Sequence, residues 1–298
     1  MRPRRRNTRS AGFTLVLGGG GARGLAHIGV LRVLENEGLV PRLLVGTSMG
    51  AIIGGMYAQR PYADVVEERI RRLIKSRPFR RIIMDAFSND GAPDGLGTVY
   101  ALYGRMKRGY GFLKSAWSTG IVETPVLMDF LSHLLDDLPI QECAIPFAAV
   151  SCDLMAGREV VCREGSILTA VAASSAIPGV VSPVHVNGRF LVDGAPTSTV
   201  PVHAAHRLSS RPILAVSVTK SVQGTKPVRN AIDVVLRAGA IARMQVTDLN
   251  LREAAIVIEP RVAAFGWADF SSCDAFIAEG ERAAKAALRK IRALPGRG

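Results

Sequence analysis

Apolar and polar positions along the chain fall into blocks that predict strands and helices in turn. Phe13 to Leu17 is a short apolar run ending in glycines, and Leu25, Ile28, Leu31 and Leu34 then recur at helical spacing until Gly38. Leu43 to Val45 is a second run of the buried type, and a helix over Met49 to Gln59 follows the turn Gly46-Thr-Ser-Met-Gly50. Two strand–helix units in succession predict parallel strands covered by helices. Further strands are predicted at Phe147 to Ser151, Glu159 to Cys162, Pro212 to Val218 and Ile256 to Glu259, and helices at Ser166 to Ser175, Ala231 to Glu253 and Asp274 to Ala293. Val184 to Val192 reads as a hairpin, with Asn187-Gly188 supplying the two positive-φ residues of a type I′ turn. That hairpin delivers Asp193 to the end of a strand.

Composition narrows the class. At 298 residues and 48% hydrophobic content, one large globular domain is expected, with a basic disordered tail at 1–12, a body at 13–220 and an extension at 221–298 packed on it. No apolar run reaches the roughly 18 to 20 residues of a membrane-spanning helix, and the apolar stretch after the N-terminal arginines is too short for a secretory signal. Cys143, Cys152, Cys162 and Cys273 form no CxxC pair and no zinc-type spacing, so neither disulfides nor metal are expected and a cytoplasmic setting is the default. The net charge of +13 is localised: residues 1–10 carry +5, 77–120 carry +4, 281–298 carry +5, and the remainder is −1. Basic ends on a neutral body suit a polyanion, either anionic lipid at the inner membrane face or nucleic acid. Segment 77–120 also holds seven of the 17 aromatic residues, which makes it a candidate interfacial cap.

Three motifs carry chemistry. Gly18-Gly-Gly-Gly-Ala-Arg-Gly24 links a strand to a helix, where unsatisfied backbone N–H groups attract negative charge. Read as Gly19-x-Gly21-x-x-Gly24 it matches a dinucleotide fingerprint, but no acidic residue ends the second strand and no Walker-type lysine follows. No cofactor is therefore expected. Gly46-x-Ser48-x-Gly50 between strand and helix is a nucleophile-elbow pattern, and the glycine loop would lie beside it. The base for Ser48 has two readings. Asp193 with His203 or His206 would complete a triad; alternatively Asp193, in the Asp193-Gly194-Ala195 turn, takes the proton itself if burial raises its pKa.

These motifs in this order, with Ala22-Arg-Gly-Leu-Ala-His-Ile-Gly-Val-Leu31, Asp153-Leu-x-x-Gly157 and Ala172-Ala-Ser-Ser-Ala-Ile-Pro178, resemble the patatin-like phospholipase family and its bacterial branch related to neuropathy target esterase. The resemblance implies a three-layer α/β/α fold with a mainly parallel sheet and an inserted cap. It also implies a Ser–Asp dyad of Ser48 and Asp193 without a catalytic histidine. By the same transfer, the N–H groups of Gly19, Gly20 and Gly21, with Arg23 nearby, would form the oxyanion hole, framed by Gly24, Gly46, Gly50, Gly194 and Ala195. The expected substrate is a phospholipid, lysophospholipid or other lipid ester, met at an anionic membrane by a peripheral protein, with no specific nucleic acid. The rival expectation is a non-catalytic protein of the same fold that uses its basic regions to bind a membrane or nucleic-acid partner.

Overall fold

The computed structural model describes residues 12–77, 79, 119–120, 122–219, 228 and 231–294. The expected cap and the N-terminal basic end fall largely outside these residues, whereas most of the C-terminal basic segment lies on the helix Cys273–Arg292. The alternation of short buried runs and helices resolves into one sheet. Strands β1 (Thr14–Leu17), β2 (Leu43–Thr47), β3 (Phe147–Asp153), β4 (Arg158–Cys162), β5 (Val184–Val186), β6 (Arg189–Asp193), β7 (Ile213–Val216) and β8 (Ile256–Ile258) form it. Its order is β5-β6-β3-β2-β1-β7-β8, with β4 also on β3. The five strands from β3 to β8 run parallel, while β4, β5 and β6 pair antiparallel.

The central strands are apolar on both faces because both faces are covered. Leu15 and Leu17 point to one core, shared with α1 (Ala26–Asn36), α2 (Met49–Gln59) and α3 (Ala63–Lys75). Val16 points to the other, which holds Val202, Ala204 and Ala205 of the helix Val202–Leu208. The result is the three-layer α/β/α architecture that the family resemblance implied. The hairpin turn is also as expected, with Asn187 at φ 49 and Gly188 at φ 74. The pattern reading did not include α3 or α4 (Thr124–Ser132), although Val66, Ile70 and Leu73 of α3 are buried at helical spacing.

One register feature positions everything that follows. β4 occupies one edge of β3 along residues 149–153, so β2 and β6 must share the other edge. Thr47 of β2 lies opposite Val150, and Asp193 of β6 lies opposite Ser151, one residue further on. Two strands running in opposite directions thus end head to head, within about one 3.3 Å residue step of each other.

The chain after residue 220 is built into the same body. β8 extends the sheet beside β7, and the last helix, Cys273–Arg292, crosses α1. That crossing is close because both helices present glycine: a Cβ on Gly280 would stand 1.9 Å from the Ala26 carbonyl oxygen, and one on Gly29 2.0 Å from that of Ile277. Arg32 joins the contact, bonding Glu281 at 2.8 Å and Asp64 of α3 at 3.1 Å. Gly280→Ala is expected to lower stability by about 1–3 kcal/mol through forced separation of the helices, read as a lower urea midpoint with an unchanged slope.

Candidate active site

The elbow is set by close packing around two glycines. A Cβ on Gly46 would fall 2.4 Å from the Gly50 carbonyl oxygen, and one on Gly50 2.1 Å from that of Leu17. Between them Ser48 adopts φ 55 and ψ −124, a conformation that side-chain-bearing residues rarely hold. The surroundings enforce it. The Ser48 N–H donates to Ser174 Oγ at 3.0 Å, Ser174 Oγ–H donates to the Val150 carbonyl at 2.6 Å, and Thr47 Oγ1–H donates to the Ser198 carbonyl at 2.9 Å. Ser48 is half-buried at the N-terminus of α2.

Asp193 arrives from β6 and is 3% exposed. Its N–H donates to the Ala176 carbonyl at 2.8 Å, and its Oδ1 accepts the Ala195 N–H at 2.8 Å. Gly194 is required by the same crowding, since a Cβ there would meet the Val150 carbonyl at 2.5 Å. Burial pushes the Asp193 carboxyl up to about 6; the Ser48 hydroxyl that faces it, the Ala195 N–H and the charge of Arg243 oppose the rise. Arg243, on the helix Ala231–Leu251, escaped the sequence reading, because nothing in the chain distinguishes it from the other basic residues.

The triad reading does not assemble. His203 Nδ1 pairs with the Glu253 carboxylate at 3.3 Å and His206 Nε2 bonds the Glu253 carbonyl at 3.1 Å, and neither is among the groups acting on Asp193. Both point to the end of a neighbouring helix rather than to the elbow.

The glycine loop lies against Ser48, with a Cβ on Gly19 reaching 3.1 Å from the serine Cβ. Its amides divide into two groups. Gly18 N–H donates to Val216 O at 3.0 Å and Gly19 N–H to Thr199 O at 2.9 Å, so the Gly19 amide, expected in the oxyanion hole, is engaged elsewhere. The Gly20 and Gly21 amides donate to no acceptor among the described residues. Gly21 has φ +58, and a Cβ there would strike Trp267 at 2.5 Å. Arg23 is buried with its Nε–H on the Phe265 carbonyl at 3.1 Å, which makes it an anchor of the loop. Gly24 leaves room for Met49 of the elbow. Beneath the loop, His27 Nε2–H donates to the Gly18 carbonyl at 2.7 Å; burial holds its pKa down to about 4, so the ring is neutral.

An apolar cavity of about 170 Å³ opens from Ser48 and Gly21 and runs between α2, α3 and α4. A serine at a strained strand–turn–helix elbow, facing a buried carboxylate and the Gly20 and Gly21 amides in a three-layer fold, defines the serine-elbow class of α/β/α proteins. Within that class, the model for the Patatin-like phospholipase family matches residues 15–206, and the chain belongs to this family.

Its relatives agree. An uncharacterized NTE family protein of Mycobacterium tuberculosis is 30% identical over 299 residues, covering 92% of this chain and 46% of its own length. A second from the same organism is 29% identical over 226 residues, covering 76% and 54%. The mouse patatin-like phospholipase domain-containing protein 6 is 29% identical over 208 residues, covering 69% of this chain and 13% of its own. The chain spans about half the length of the mycobacterial relatives it matches. Among the described residues, no helix is long and apolar enough to cross a membrane.

A raised carboxyl pKa has a consequence for stability. The folded value of about 6 lies above the ordinary value of about 3.9, so the folded state binds the proton more tightly between pH 4 and 6. Stability is therefore lost as pH rises through that window and stays lower above it. Asp193→Asn is expected to be more stable than the wild type at pH 8, by on the order of 1–3 kcal/mol, with the gain gone at pH 4. Urea midpoints at the two pH values measure it.

Proposed function

We propose that the protein is a serine acyl hydrolase of lipid esters, phospholipids or lysophospholipids among them, acting through Ser48 and Asp193 without a histidine. The observation that carries this reading is the buried carboxylate facing a strained serine, with two unengaged amides alongside. It accords with membership of a family described as phospholipases.

In the proposed reaction, ionised Asp193 takes the Ser48 hydroxyl proton as Oγ attacks the ester carbonyl. A carboxyl lifted to about 6 is a stronger base than an ordinary aspartate and still mostly ionised at pH 7. The negative charge on the former carbonyl oxygen falls to the N–H groups of Gly20 and Gly21, held in place by the Gly18–His27 bond and the Arg23 anchor. Collapse of the tetrahedral intermediate breaks the bond to the alcohol, which leaves with the proton from Asp193. Water then gives its proton to Asp193, attacks the acyl-serine and releases the fatty acid, and the proton returns to Ser48. Arg243 keeps Asp193 ionised at lower pH than burial alone would allow.

A fluorophosphonate probe is expected to label wild-type protein at Ser48, located by mass spectrometry, and to leave Ser48→Ala unlabelled. Ester turnover should fall by at least about 100-fold in Asp193→Asn and be retained in His203→Ala and His206→Ala; the reverse pattern would sink the dyad. The rate should rise with pH to a half-maximum near pH 6, where Asp193 ionises. Arg243→Gln should move that midpoint upward, and an unmoved midpoint would remove Arg243 from the mechanism.

A further inference from the structure

The cavity beside Ser48 has a wall that the catalytic scheme does not use. Phe79, beyond the end of α3, stacks on Phe130 of α4 with ring centroids 5.6 Å apart, and meets Phe270 edge-on at 5.0 Å. The three rings come from distant parts of the chain and all line the cavity. Phe79 is buried, whereas Phe130 and Phe270 are partly exposed, so these rings reach from the cavity to the surface. The cavity is also lined by Ile52, Ile70 and Leu134, all buried in the main core and unable to give way without disturbing it.

Cavity size sets a limit. A dry apolar cavity of about 150 Å³ holds one benzene, a molecule of six carbons. The volume of about 170 Å³ found here is therefore enough for roughly six to eight. We propose that the wall of Phe79, Phe130 and Phe270 fixes the length of acyl chain accepted at Ser48, at about six to eight carbons. This rests on the acyl-hydrolase reading and adds to it the residues that choose the chain. Up to the limit, each added methylene leaves water for the cavity and raises kcat/KM about fourfold, equivalent to about 0.8 kcal/mol. Past it, the chain meets aromatic rings packed against one another.

The test compares wild type, Phe130→Ala, Phe130→Trp and Phe270→Leu on p-nitrophenyl esters with acyl chains from two to sixteen carbons in detergent micelles. Labelling of Ser48 by a small fluorophosphonate is followed in parallel. The wild-type optimum is expected at six to eight carbons. It should move to longer chains in Phe130→Ala and Phe270→Leu and to shorter ones in Phe130→Trp, with Ser48 still labelled in each. Opposite shifts from enlarging and shrinking one side chain separate a length limit from general damage to the fold. If Ser48 is labelled in all four proteins and the optimum stays in place, or the wild-type profile is flat to sixteen carbons, the aromatic wall is overturned and the hydrolase reading stands. If wild type neither labels nor turns over any ester, the hydrolase reading fails and the chain-length assignment falls with it.

Discussion

The arrangement of this protein depends on a single edge of β3. Because β4 takes the other edge, β2 and β6 are forced onto the same one from opposite directions, and their ends meet at Val150 and Ser151. The carbonyl of Val150 is the meeting point in atomic detail. It accepts the hydrogen bond from Ser174 that in turn holds the Ser48 amide, and it lies where a Cβ on residue 194 would have to go. A shift in register by one residue would reverse which face every side chain of β6 presents, sending Asp193 away from the serine. The closeness of Ser48 and Asp193 is thus a consequence of strand pairing, and not of any attraction between the two side chains.

That pairing holds two unfavourable features in place. Ser48 sits at a positive φ, a strain of order 1–3 kcal/mol. Asp193 is buried with its carboxyl displaced toward the protonated form. Neither would persist in a loosely packed site. Both are fixed by central strands whose residues are buried on both faces, where separating the sheet from its helices would expose two cores at once. The same burial that costs stability at neutral pH makes Asp193 a better proton acceptor, so the stability loss and the proposed chemistry have a single physical origin.

Much of this was legible in the sequence, for identifiable reasons. The helix Ala26–Asn36 and the Asn187-Gly188 turn could be read because each depends on local rules, helical periodicity in one case and φ > 0 residues in the other. The residues Ser48 and Asp193 could be singled out by motif, but their closeness depends on register across β3, which is a long-range pairing. Helix α3 was missed although Val66, Ile70 and Leu73 carry its period, because its charged residues dilute the apolar signal. The engagement of the Gly19 amide by Thr199 had no sequence signal at all, since its acceptor is a backbone oxygen 180 residues away. Arg243 and the stacked phenylalanines were invisible for the same reason: what matters about them is their partner in space.

Several of these late-found residues lie together in the chain. The family match ends at residue 206, yet Arg243, Phe265, Trp267 and Phe270 lie beyond it and touch the site from the outside. Within the matched segment are the serine, the aspartate and the glycine loop, the parts that the proposed acyl transfer uses. Beyond it lie the charge that acts on Asp193, the carbonyl that anchors Arg23, and Phe270, whose ring partner Phe79 and that ring's other neighbour Phe130 lie within the match. On the proposed reading, such a division would let the pH response, and the part of the cavity wall made by Phe270, change through the C-terminal third without disturbing the edge of β3. Substitutions at Phe270 alter a wall, whereas substitutions at Val150 or Gly194 alter the register that brings Ser48 and Asp193 together.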